Sequence, residues 1–278
     1  MRHSIGVAVL ACAGWMAGGP ARAETFDDRL DTKAIGAAAF RQAHPAWDGR
    51  GVVLAVLDTG VDPGAPGLLQ TSAGGPKVIE ARDFTGESVV EMDRPQRETG
   101  PDGRVAWRAR GSYVTGVESI PGLDPARGLS LGFLDESRYR NTPVPDLDGN
   151  GRTGDRLAVL AFQGADGEWR AVIDRDGDHD LSGEPVLQSY EKGLQHVRLG
   201  GGDPVRDAAK VPVSVHLGDD AARRVELHVV AGSHGTHVAG IMLRGNPHAR
   251  LAIFRSAWAG ESRVYDQRGP TDAELDAE

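Results

Sequence analysis

The stretch "GRGVVLAVLDTGVDPG", residues 49–64, places an unbroken apolar run, Val52 to Leu57, between glycines and an aspartate. A run of that length without polar alternation predicts a strand buried on both faces, as in a parallel sheet. Asp58 stands where the strand ends, and in open α/β sheets reacting groups collect outside those carboxyl ends. A second segment, "VELHVVAGSHGTHVAGIML", residues 225–243, reads as another strand followed by a helix of small residues that opens near His234. The expectation is one parallel sheet holding both strands. Asp58 and His234 would then meet on its edge, with a carboxylate oxygen within hydrogen-bond reach of the ring Nδ1.

His234 and His237 are three positions apart and, on a helix, share a face. A shared metal is one reading, but the common zinc peptidase motif spaces its histidines by four and supplies a glutamate between them, which this segment lacks. Two ordinary helix histidines are a second reading. The third joins His234 to Asp58. A serine hydroxyl becomes a good nucleophile only when an imidazole can take its proton, and a carboxylate on the other ring nitrogen orients that imidazole.

Taken together, "DTGVD" (58–62) and "HGTHVAG" (234–240) resemble the Asp and His motifs of the subtilisin-like serine peptidases, the subtilases, in that family's order. The resemblance implies an α/β, doubly wound parallel sheet, here incomplete, with a β-rich insertion between the Asp and His motifs. It implies hydrolysis of peptide or protein substrates by an Asp-His-Ser triad, with Asp58 as the triad aspartate, His234 as the base and His237 as a packing residue. The length of the insertion is similar to that of one branch of the family. The family's Gly-Thr-Ser-x-Ala nucleophile motif and its oxyanion asparagine do not follow His234: the later serines are Ser256 and Ser262, and the later asparagine is Asn246. Ser72 precedes the His motif, out of the family's order. Thr271 and Glu274 have capping-box spacing just before the last residue, Glu278, so the chain is expected to stop inside an element, and by itself to be inactive. A frayed acidic tail is the plainer reading of the same residues.

The expected organisation is an export signal over 1–23, the start of a peptidase domain over 24–82, a β-rich insertion over 83–220, and the resumed peptidase domain over 221–278. A helix is predicted within residues 31–45. Hairpins are predicted in "RLAVLAFQGADGEWRAVID" (156–174) and "VPVSVHLGDDAARRVELHVV" (211–230), each with turn residues between apolar runs.

Inside the insertion, "DLDGNG" offers Asp146, Asp148 and Asn150, and "DRDGDHD" offers Asp174, Asp176, Asp178 and Asp180. Alternate oxygens in a tight loop can converge on calcium. Leu157 stands where the first loop would need a bidentate glutamate, and His179 and Pro185 occupy the glycine and glutamate places of the second. Calcium and plain solvated turns both remain open readings. No other cofactor is required.

Composition bounds the rest. With 278 residues, 40% hydrophobic content and a formal charge of -9, the chain can build a core, and it has no clustered Lys and Arg for nucleic acid. Residues 1–23 carry an early arginine, an apolar stretch too short to span a bilayer, and Ala21-Arg22-Ala23 before a cut, so export and no membrane span are expected. Cys12, the one cysteine, lies inside that signal, and a lipoprotein anchor there is the minor alternative. The sequence is silent on oligomeric state. The rival from another class is a noncatalytic acidic module, derived from a subtilase, that binds calcium or a partner.

Overall fold

The structure, a computed structural model, describes residues 33–256 apart from 102, 202–209 and 244–245; the expected export signal and the Thr271 helix start lie outside them. Three strands run parallel in the order β1 (Val53–Asp58), β14 (Arg250–Arg255) and β2 (Val78–Asp83). One face of this sheet meets helix α3 (His234–Leu243) in a core that includes Val56, Val78, Ala81, Ala239, Leu243, Leu251 and Ile253. The other face is open among the described residues, with Val53 53% and Leu57 62% exposed. The sequence therefore overstates the burial of β1: an apolar run reports what a strand is able to bury on two faces, and here one face is covered. A short helix, α1 (Ala37–Ala43), forms inside the stretch predicted helical, starting after Gly36, whose φ of +75° breaks the earlier residues from it. A one-turn helix, α2 (Tyr190–Gly193), precedes α3 in the chain.

Between β2 and α3 lies a large antiparallel sheet. Its eight strands run in the order β10 (Val186–Leu187), β9 (Trp169–Ile173), β8 (Arg156–Gln163), β7 (Leu129–Asp135), β3 (Val89–Asp93), β13 (Arg224–Val229), β12 (Pro212–His216) and β11 (Val197–Arg198). Both predicted hairpins form, as β8–β9 and β12–β13. A small sheet, β4 (Gln96–Thr99), β5 (Val105–Ala109) and β6 (Ser112–Val114), contributes to the covering of one face. On that side Leu131, Phe133, Leu160 and Phe162 pack with Trp107 and Val114. On the other, Leu134, Leu157, Val159 and Ala161 join a core that runs to Val213, Val225 and Leu227. This double cover explains why "LSLGFL" and "LAVLAF" read as continuous apolar runs although their sheet is antiparallel.

One topological expectation is corrected. The strand that leads to His234 is β13, and it pairs with β12 and β3 in the antiparallel sheet rather than with β1. Its own alternation carries the reason: Val225, Leu227 and Val229 face the insertion core, while Glu226 and His228 occupy the opposite face. Glu226 accepts from Arg82 Nε at 2.8 Å and from its Nη2 at 3.1 Å, and from the Asp83 N–H at 2.9 Å, so β13 is bound to β2 by a charged contact.

Arg255, the last residue of β14, closes the same junction. It donates to Asp83 Oδ2 at 2.7 Å, Ser88 Oγ at 3.0 Å and Thr85 Oγ1 at 3.2 Å, pairs with Glu87, and sits over the Tyr139 ring. With Arg255 and Asp83 both buried, these partners are what make a buried charge tolerable.

Candidate active site

β1 ends at Asp58 and α3 begins at His234. The ring Nδ1 of His234 lies 2.8 Å from Asp58 Oδ1 and 3.0 Å from Oδ2, across 176 positions of sequence. Residues 230–233 carry the chain from the antiparallel sheet to this edge, so the expected meeting occurs by a different route. Thr59 steadies the carboxylate, donating to Oδ1 from its N–H at 2.7 Å and its hydroxyl at 3.1 Å. The Asp58 side chain is 12% exposed and that of His234 57%. A shielded carboxylate paired with an open imidazole suits an orienting group and a group that meets a reactant.

The residues around the pair explain the rest of both motifs. A Cβ on Gly235 would lie 2.3 Å from the Gly60 carbonyl oxygen and 3.1 Å from Asp58 Cβ and Oδ1, so the helix approaches the loop this closely only with glycine there. The Gly235 N–H donates to Thr59 Oγ1 at 3.3 Å, and the Asp62 N–H donates to Thr236 Oγ1 at 2.9 Å. Gly60, at φ +107°, has a backbone that side chains rarely adopt. The two segments thus interlock at four points, and the sequence of each is the shape of the other.

A family model described as the subtilase family matches residues 49–261. The chain belongs to the subtilase family. Tripeptidyl-peptidase 2 of Caenorhabditis elegans is 40% identical over 263 residues, covering 75% of this chain and 18% of that protein. Tripeptidyl-peptidase 2 of Oryza sativa subsp. japonica is 38% identical over 90 residues, covering 32% of this chain and 6% of that protein. A crystal structure of tripeptidyl peptidase 2 shares the fold, with a TM-score of 0.59 and 21% identity over 79% of this chain and 21% of that one. The chain therefore spans 18% or less of the length of these two curated relatives. They are the branch to which the long insertion pointed.

The other singled-out residues stand as follows. His237, expected to pack, is exposed on α3, because the buried stripe of this subtilase helix runs through Gly235, Thr236, Ala239, Gly240 and Leu243. Neither His234 nor His237 belongs to a cluster of three possible metal ligands among the described residues. Asn246 closes the end of α3, its side-chain amide donating to the Met242 carbonyl at 3.1 Å. Ser72 lies exposed in a turn whose N–H donates to the Pro247 carbonyl. The Ser256 N–H donates to the Asp58 carbonyl at 2.9 Å, and Ser262 lies outside the described residues.

Each acidic loop gathers three carboxylates. Asp146 and Asp148 converge with Glu136, and Asp174, Asp176 and Asp178 with one another, each set holding oxygens within 4.8 Å. Glu136, which the sequence does not mark, follows Asp135 at the end of β7 and is fully buried, where only a hydrogen-bonded carboxylate is tolerated. Its oxygens accept the Leu147 N–H and, at 3.0 and 3.2 Å, those of Gly154 and Asp155. Asn150 instead turns its amide N–H groups to Asp148 and Asp155, and Asp180 accepts from the Ser182 N–H outside the second set. Burial pushes Asp148 and Asp174 up to about 6, with the neighbouring carboxylates adding to the shift.

Proposed function

We propose that Asp58 and His234 are the acid–base half of a serine peptidase triad that hydrolyses peptide bonds, the nucleophilic serine and the oxyanion donor coming from sequence beyond these 278 residues. The observation that carries this reading is the 2.8 Å contact between Asp58 Oδ1 and His234 Nδ1. With Nδ1–H donated to the carboxylate, the imidazole takes the serine proton at Nε2 and later returns it to the leaving amine, while Asp58 stabilises the imidazolium. Peptide or protein is the substrate class implied by the family. We further propose export, on the pattern of residues 1–23, and a hard, oxygen-ligated cation such as calcium as the ligand chemistry the two acidic loops can offer.

The test is the transcript. Sequence past the codon for Glu278 is expected to encode Gly-Thr-Ser-x-Ala, and the product is expected to be labelled at that serine by a fluorophosphonate. His234→Ala should slow turnover by about 10⁶-fold, as loss of a triad base does. An in-frame stop with no such motif, or labelling indifferent to His234, would favour the noncatalytic module.

A further inference from the structure

Arg198 is as deeply buried as Arg255, 2% exposed, and it sits on β11, an edge strand of the antiparallel sheet. Its Nη1 donates to the Lys210 carbonyl at 3.0 Å; its Nη2 lies 2.9 and 3.2 Å from the two oxygens of Asp62. Asp62 is the last residue of the Asp motif, four positions after Asp58. Besides accepting from Arg198, its Oδ1 accepts the Gly64 N–H at 2.8 Å, and its own N–H donates to Thr236 Oγ1 at 2.9 Å. Thr236 is two positions after His234. The contact chain thus runs from the insertion to the loop after Asp58 and on to the helix that carries His234.

We propose that Arg198 is a positioning residue for the Asp58–His234 pair, holding the loop after Asp58 in the one place from which it can brace the helix of His234. The proposal rests on the catalytic reading of that pair. Burying an arginine–carboxylate pair is a poor way to gain stability, since apolar side chains of the same volume often serve as well or better. What a charged, hydrogen-bonded pair supplies is a fixed direction for the carboxylate and for the backbone that carries it. The loop is shaped to receive it: a Cβ on Gly64 would lie 2.3 Å from His196 Nε2 and 3.0 Å from Arg198 Nη2, so the chain presses directly on this end of the insertion. Misplacement by about 1 Å is enough to cost about 100-fold in a reaction that depends on aligned groups. On this account the insertion is a structural partner of the site.

The experiment uses the 278-residue chain with its imidazoles labelled with ¹⁵N, and follows the low-field Nδ1–H line of His234, which a carboxylate partner protects from exchange with water. In Arg198→Met the line is expected to be lost, and in Arg198→Lys, which restores the charge, to return at least in part. Arg175→Met, which breaks an ion pair with Glu184 inside the insertion, should lower the melting temperature and leave the line in place. Asp62→Asn serves as the second variant if Arg198→Met does not fold, with the same loss expected. A line unchanged in folded Arg198→Met or Asp62→Asn would overturn the proposal, as would its absence from the unaltered protein. This readout is independent of any serine: failure of the catalytic reading shows as a missing motif in the transcript, failure of this inference as a His234 line indifferent to Arg198.

Discussion

Gly235→Ala sets two physical effects against each other. In a helix interior alanine is better than glycine by about 1 kcal/mol, so propensity predicts stabilisation. The added Cβ, however, would lie 2.3 Å from the Gly60 carbonyl oxygen, where about 3.3 Å is an ordinary carbon–oxygen approach. The start of α3 must then withdraw by about 1 Å. Overpacking of this kind costs about 1–3 kcal/mol, and the propensity gain is reduced because Gly235 lies in the first turn. The net expectation is destabilisation of about 1–2 kcal/mol, with the same withdrawal stretching the 2.8 Å Asp58–His234 contact beyond about 3.5 Å, out of hydrogen-bond range. Urea denaturation of the two proteins, fitted with a common m-value, measures the first number. An alanine variant as stable as the unaltered protein, or more stable, would refute the interlocking of the two motifs.

Three further outcomes follow from the buried charges. Arg255→Met, which removes the guanidinium from Asp83 and Glu87 at the junction of the two sheets, should cost about 3–5 kcal/mol by the same denaturation assay, far more than a surface arginine. His228 is buried with neither ring nitrogen bonded among the described groups, and burial pulls its pKa down to about 4. Because the unfolded chain takes up that proton first, His228 withdraws about 3 kcal/mol of stability as pH falls from about 6.5 to 4, a contribution read as the difference between the pH profiles of the unaltered protein and His228→Leu. Asp174 works in the opposite sense: held up to about 6, it is protonated in the fold after the unfolded chain has ionised. Its contribution of about 3 kcal/mol is then lost as pH rises from about 4 to 6, and is read as the difference between the profiles of the unaltered protein and Asp174→Asn, the slope of like sign from Asp148 staying in both. If calcium binds there, millimolar calcium should raise the melting temperature at pH 7, and Asp174→Asn should remove the rise. A melt unchanged by calcium or chelator would leave both loops as ordinary turns.

The sequence carried most of what lies close to the reacting edge and less of what surrounds it. Asp58 and His234 were legible because strand end, helix start and small residues coincide in two short motifs whose spacing admits few other uses. The path between them departs from expectation at β13. Its alternation of Val225, Leu227 and Val229 with Glu226 and His228 is an antiparallel pattern, whereas a strand feeding an α/β helix is expected to be parallel. His237 is exposed where the resemblance implies packing, because the phase of the helix turns Gly235, Thr236, Ala239, Gly240 and Leu243 inward. Glu136 and Arg198 were invisible for a different reason: each acts through partners distant in the chain, and no local spacing announces a buried charge that will be met by Leu147 or Asp62.

In the proposed triad Asp58 holds the imidazole of His234 with its proton on Nδ1, leaving Nε2 to receive one. The ¹⁵N shifts of the His234 ring, recorded with the ring neutral in the unaltered chain and in Asp58→Asn, read out that proton. A neutral Nδ1–H tautomer is expected in the unaltered protein and its loss in the variant, whose amide at that position no longer offers two accepting oxygens. A neutral ring protonated on Nε2, or one whose tautomer is the same with aspartate and with asparagine at position 58, would contradict it.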